Sequence, residues 1–371
     1  MQKIRKLLIL LILTLIAGLV FGLSVNNKKG NEGDSTKNTG KIIKSKLPKT
    51  TKLTESIFIP YWNIPKKTDG LEKYNRLIYF GITASADGGI NKYDQGYLNM
   101  AALTEAISDI NKEKLLVLRM LDEDTNFSIL NSVDKQNILL SEINEIINEF
   151  GFDGIALDLE LNSLPVSDIT NKINSFVQKI YTEENKNYRK FYLILYGDTF
   201  YRKRPYDVDI LSKNSDEIMV MAYDFHKSRG IPGPNFPLNA GAKYGYDLKK
   251  MTDDFSKYIG NKKLTIIFGM YGYDWLVDEK KRPIRPARAL SLKDIQKQFI
   301  EKCELIDCVV KRDGYSTETE VNYIDSVVKD NVGYMDMHIV WFEDEESVRL
   351  KKEYLMDHGI GNFAYWVYGY F

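Results

Sequence analysis

From Thr54 onward, short runs of β-branched, aliphatic and aromatic residues alternate with longer stretches of helical period, and few folds accommodate that pattern. The runs fall at residues 57–61, 77–82, 115–120, 154–159, 191–196, 217–222, 264–270 and 362–367. A strand that recurs after each helix pairs in parallel with its predecessors and needs helices to cover the sheet. Eight such units close on themselves, so the sequence predicts an α/β fold of the (β/α)8 TIM barrel kind spanning residues 55–371. Residues 136–150 show one intervening helix, with Ile138, Leu139, Ile143, Ile146 and Ile147 as its apolar stripe against the barrel. The gap between the seventh and eighth runs exceeds one helix and its loops. A small α+β insertion is expected there, about residues 283–342, with a helix near 291–303 and strands near 320–324 and 337–342. Such insertions sit on the loops of the functional face.

The fourth run carries the chemistry. Side chains alternate along a strand, so Ala156, Asp158 and Glu160 share one face and Ile155, Leu157 and Leu159 the other. The apolar set must meet the helices, which turns Asp158 and Glu160 inward, roughly 7 Å apart by the two-residue repeat. Glu160 then stands at the carboxyl end, where barrel enzymes keep their active sites. Two inward carboxyls cost several kcal/mol unless they are bonded or share a proton. Like charge from Asp158 is expected to keep Glu160 protonated, as a general acid requires. A pair of acids satisfied by barrel Arg or Tyr groups is the structural alternative. Trp62, Trp275 and Trp366 fall at the carboxyl ends of expected strands, where an indole can stack on a pyranose face or pack in the core.

Four segments, in order, resemble family 18 glycoside hydrolases. Asp153, Gly154, Asp158 and Glu160 align with the family's DGxDxDxE; Met221, Tyr223 and Asp224 with MxYD; residues 268–272 with the strand-seven GxPxYG; and residues 361–366 with the strand-eight segment ending in Trp366. Residues 221–238 and 340–370 are similar to the spore-germination and cortex-glycosylase branch. The resemblance implies a retaining, substrate-assisted hydrolase of N-acetylglucosamine glycans such as peptidoglycan or chitin. It assigns Glu160, Asp158 and Tyr223 to catalysis and Asp153, Asp224, Trp366 and Tyr271 to substrate binding; Trp62 and Trp275 join the binding candidates from their place at strand ends. It implies no cofactor and no metal. A membrane-tethered barrel that binds glycan without cutting it is the alternative. Ala156 departs from the pattern by removing the middle acid, and Asp158 is therefore expected to ionise at lower pH. The third run lacks the family's SxGG and carries Arg119 instead.

Residues 7–23 form an apolar run behind Lys3, Arg5 and Lys6, the pattern of a secretion signal or an uncleaved membrane anchor, and residues 1–25 are assigned to it. Action outside the cytoplasm is expected. Residues 26–54 read as a flexible basic linker. The remaining chain holds 49 acids against 40 bases, which argues against nucleic acid as a partner. Cys303 and Cys308 are open to a short-loop disulfide, but the reading favours buried or free thiols. His226, His338 and His358 have no metal-ligand spacing.

Overall fold

The computed structural model describes residues 52–66, 70–329 and 332–371. The apolar run and nearly all of the linker lie outside them. Among the described residues no helix is long and apolar enough to cross a membrane.

The strands are β1 (Thr54–Pro60), β2 (Arg76–Thr83), β3 (Glu113–Met120), β4 (Gly154–Leu159), β5 (Lys190–Tyr196), β6 (Glu217–Ala222) and β7 (Leu264–Gly269). They are followed by β8 (Tyr271–Val277), β9 (Arg288–Ser291), β10 (Ile306–Arg312), β11 (Thr319–Lys329), β12 (Val332–Phe342) and β13 (Asn362–Trp366). Strands β1 to β7 and β13 pair in parallel and close in the order β1-β13-β7-β6-β5-β4-β3-β2. This is the predicted barrel, and all eight runs coincide with its strands. Helix Val133–Phe150 starts on the Ser132 cap and ends on Gly151 in the left-handed region. It buries Leu139, Leu140, Ile143, Ile146 and Ile147. Ile138 instead faces solvent, because Leu140 takes the place assigned to it on the stripe.

The amino end of the barrel is plugged by charge. Arg76 on β2 pairs with Glu113 and Glu217 at 2.8 and 3.1 Å and donates to the Tyr192 hydroxyl at 2.9 Å. Thr265 of β7 donates to Glu217 at 2.5 Å, so five strands contribute to one buried network. Paired and hydrogen-bonded in this way, the Arg76 guanidinium satisfies the conditions under which burial is tolerated.

The insertion is larger than predicted. Its antiparallel sheet runs β10-β11-β12-β8-β9, so it begins at Tyr271 rather than near residue 283. Residues 271–277 place an aromatic at every second position as far as Trp275 and read from sequence as the tail of the seventh run. The predicted helix is a short α-helix, Leu292–Ile295, continued by a π-turn, Gln296–Ile300. Cys303 and Cys308 form a disulfide across the turn into β10, with Cα atoms 6.2 Å apart, so the expectation of free thiols is corrected.

A buried ionic cluster ties the insertion to the barrel. Lys351, on helix Glu345–Asp357, pairs with Glu318 at 2.8 Å and with Glu343, all three essentially without solvent exposure. Glu318 also accepts from the backbone N–H groups of Asn235 and Phe236 in the loop after β6, at 2.5 and 2.8 Å.

Candidate active site

Strand polarity decides where each acid goes. Asp158 points into the barrel and is 4% exposed. Glu160 stands one residue past the strand end, its N–H bonded to Met120 O and its carbonyl to Asn126 Nδ2, both at 2.9 Å. Its carboxylate opens into a cavity of about 340 Å³ at the carboxyl face, and Asp158 lies on the same cavity wall. Tyr196, at the end of β5, donates its hydroxyl to Glu160 Oε2 at 2.5 Å. That leaves Oε1 as the oxygen free to carry a transferable proton. The Arg204 guanidinium lies 3.5 Å over the Tyr196 ring and fixes it.

Asp158 Oδ1 has no hydrogen-bond partner among the described residues. Burial pushes its carboxyl well above the usual range; the negative charge of Glu160 adds to this and Arg119 opposes it. Burial thus sets the level from which any effect of the missing acid at 156 must be counted. Arg119 pairs with Asp94 and donates twice to Gly81 O, at 3.0 and 2.7 Å, and its guanidinium stands 4.4 Å over Tyr61. It lies opposite Asp158 in the β3/β4 register, a cation beside the buried acid.

The end of β6 supplies Tyr223 and Asp224. Asp224 takes a left-handed backbone (φ 56°), which Asp tolerates better than most residues, and its N–H is held by Asn235 Oδ1 at 2.8 Å. Its carboxylate accepts from Tyr273 at 2.9 Å and from Tyr271. Gly269 makes room beneath Tyr223: a Cβ there would sit 2.6 Å from Tyr223 Cβ and 2.8 Å from Tyr271. Burial pushes the Tyr223 hydroxyl far up, with the charges of Asp158 and Asp224 adding, so it stays protonated and able to donate.

Aromatic rings form the floor. Trp366, the last residue of β13, lies 6.3 Å from Tyr223 with planes 22° apart, and meets Phe80 edge-on at 4.8 Å. Trp62 stands 6.1 Å from Trp366 and is 47% exposed, at the rim. Seven of the nine predicted site residues thus line one cavity: Glu160, Asp158, Tyr223, Asp224, Tyr271, Trp62 and Trp366.

Two do not. Asp153 precedes β4 and so lies at the opposite end of the strand from Glu160, where it accepts from Lys114 N–H at 2.7 Å. Trp275 is fully buried in the insertion and donates to Gly230 O at 3.1 Å. On β8 the alternation sends Tyr271 and Tyr273 to the cavity and carries Trp275 beyond it. Sequence reasoning missed Tyr196, Tyr273, Asp198 and Lys227. Tyr196 was within reach, because it ends its run with the same parity as Tyr192 and Ile194, as Glu160 does relative to Asp158.

Two variants probe this geometry. Tyr196→Phe removes a hydrogen bond to a charged group, worth roughly 1.5–3 kcal/mol. Steady-state kinetics should show kcat reduced at least tenfold with KM nearly kept; an unchanged kcat would mean that the bond has no part in orienting Glu160. Ala156 is fully buried between Val117 and Tyr192 in the sheet register. Ala156→Asp should lower stability by about 1–3 kcal/mol through overpacking alone. A melting temperature equal to the parent's would show spare room at that position.

Barrel and cleft together are those of a glycoside hydrolase. The particular family follows from the chain as a whole: residues 31–370 match the model of glycosyl hydrolases family 18, and the chain belongs to that family. Among curated relatives, the cortical fragment-lytic enzyme of Bacillus anthracis is 23% identical over 304 residues, 79% of this chain and 64% of that protein. The chain therefore spans just under two thirds of that relative's length. The spore cortex-lytic enzyme SleL of Bacillus cereus superposes with a TM-score of 0.67 at 20% identity, covering 85% of this chain and 71% of SleL. The Ostrinia furnacalis Group IV chitinase, solved in complex with allosamidin, gives 0.67 at 16% identity over 85% of this chain and 92% of the chitinase. At these identities the likeness is one of fold.

Proposed function

We propose that the chain is a retaining, substrate-assisted hydrolase of glycans that contain N-acetylglucosamine, acting outside the cytoplasm. The observation that carries this reading is the pairing of a cavity-facing Glu160, pinned through one oxygen by Tyr196, with a buried Asp158 that has an unpartnered oxygen just below it. A sugar stacked on Trp366 presents its glycosidic oxygen to Glu160 and its 2-acetamido group to the depth of the cavity. Glu160 protonates the leaving oxygen while the acetamido carbonyl attacks the anomeric carbon, a route outside the two-carboxylate scheme. Asp158 Oδ1 accepts from the acetamido N–H, which satisfies that oxygen and aims the carbonyl. The Tyr223 hydroxyl donates to the acetamido oxygen, and Asp224 is placed to bind sugar hydroxyls. Water activated by the returned Glu160 carboxylate then opens the ring-fused intermediate with the anomeric configuration retained.

The names of the cortex-lytic relatives and of the chitinase support a wall or chitin-like polymer as substrate. The apolar run at residues 7–23 supports export, by cleavage or by anchorage. The deciding experiment incubates the protein with purified peptidoglycan and with chitin oligomers and follows the anomeric protons of the products by NMR. New N-acetylglucosamine reducing ends that appear first as the β-anomer support the reading. Products of inverted configuration, or no cleavage of either polymer, would overturn it.

A further inference from the structure

The reaction above makes no use of Arg119, yet this buried residue stands opposite Asp158 in the β3/β4 register. Neighbouring strands lie about 4.8 Å apart, so the two side chains leave the sheet as immediate neighbours. The guanidinium is fixed where it stands. It pairs with Asp94, donates twice to Gly81 O at 3.0 and 2.7 Å, and lies 4.4 Å over the Tyr61 ring and 5.3 Å over the Phe80 ring. Asp94 is fixed in turn. It caps the short helix Gln95–Leu98 through the Gly96 N–H at 2.8 Å, and Gly96 approaches β2 so closely that a Cβ would fall 1.8 Å from Gly81 O.

The surroundings of Asp158 make a fixed cation matter. Its Oδ1 has no partner among the described residues, and Ala156, the inward residue before it, has no proton to share. The strand β5 brings Tyr196 and Asp198 to the same cavity, β6 is followed there by Tyr223 and Asp224, and Lys227 comes from the loop beyond. Burial holds the Tyr196 and Tyr223 hydroxyls far up, so both stay neutral. Asp198 is paired with Arg202 and Arg204, and Asp224 accepts from Tyr271 and Tyr273. From β1, β7 and β13 come Phe58, Ile267 and Trp366, which do not titrate. The charges that act on Asp158 are therefore those of Glu160, against its ionisation, and Arg119, in favour of it.

Resting on the hydrolase reading above, we propose that Arg119 is a positioning residue for the reaction: it supplies the positive charge that lets Asp158 stand ionised beside the acetamido group, and Asp94 sets how much of that charge Asp158 feels. An ionised Asp158 accepts the acetamido N–H and faces the positive charge of the ring-fused intermediate. A protonated one offers that intermediate no charge. Arg119 does not line the cavity, so it acts through Asp158, across one strand spacing from which water is excluded.

The test is the pH profile of kcat/KM on whichever of peptidoglycan and a chitin oligomer the parent cleaves faster. Its acidic limb reports the Asp158/Glu160 pair of the free enzyme. Loss of the cation disfavours the carboxylate, so Arg119→Met should move that limb upward by about one pH unit. Asp94→Asn removes the counter-ion while Gly81 O and the Tyr61 ring still hold Arg119, so the limb should move downward. Arg119→Lys keeps the charge and should restore the limb to near the parent's position. A merely structural role would lower kcat/KM at every pH without moving the limb in opposite directions. Limbs that stay with the parent's, or that move the same way in Arg119→Met and Asp94→Asn, would overturn the proposal while leaving the hydrolase reading intact. Where melting curves show Arg119→Met unfolded, Asp94→Asn decides: a downward limb supports the proposal, and an unmoved or upward one overturns it. Cleavage of neither polymer by the parent would overturn the reading on which the proposal rests.

Discussion

Glu160→Gln is expected to lose about 10²- to 10⁴-fold in kcat on any glycan that the parent cleaves, with binding retained. The amide keeps the shape of the carboxyl and can still accept from Tyr196, so the hydrogen bond at 2.5 Å survives in outline. It has no proton acidic enough for the leaving oxygen and no charge with which to activate water in the second step. Both halves of the reaction fail through one atom pair. Turnover measured beside the binding of a short oligomer separates the outcomes, because a misfolded variant loses both. Parental turnover in Glu160→Gln would remove Glu160 from the chemistry.

The second large effect concerns stability and lies outside the cleft. Lys351→Met should destabilise the fold by about 3–5 kcal/mol, the usual consequence of removing one partner from a buried ion group. One ammonium neutralises one carboxylate, and burial pushes Glu343 up to about 8, with Glu318 adding to the shift and Lys351 opposing it. Glu343 is thus the carboxyl of the cluster that burial favours in its protonated form. A group whose folded value lies above its unfolded value binds more protons in the folded state. Its contribution is full below the model value of 4.5 and is lost as pH rises through about 8. Without Lys351 the charge that opposes the upward shift of Glu343 is gone, so the deficit of the variant should grow from pH 5 to pH 8. Urea midpoints at the two pH values measure this, and a deficit that is small or independent of pH would mean that the cluster is not the clasp described.

Much of this fold could be read from sequence because a barrel strand is a short object with two unlike faces. Ala156, Asp158 and Glu160 alternate with Ile155, Leu157 and Leu159, and that parity alone sent the acids inward. What parity does not give is distance along the strand. Asp153 and Glu160 belong to one motif, yet they sit at opposite ends of β4 and only one of them reaches the cleft. Trp275 failed for a related reason. Its strand belongs to the inserted sheet, and the third aromatic along β8 is carried past the cavity into the packing beneath Gly230. The start of the insertion was hidden because β8 follows β7 after the single residue Met270, so the aromatic residues 271–277 read as a continuation of that run. Lys227 was hidden because a lysine in a long loop looks solvated until the fold shows which wall it stands on. The buried cluster of Lys351, Glu318 and Glu343 draws on three segments and has no local signature.

The charged plug at the amino end leaves the barrel open at its carboxyl face alone. A polymer cannot thread past Arg76 and its partners, so it must cross the rim and leave by the opening through which it came. The stretch held at any moment is short, and the strand on either side stays in solvent or on the surface to which it is bonded.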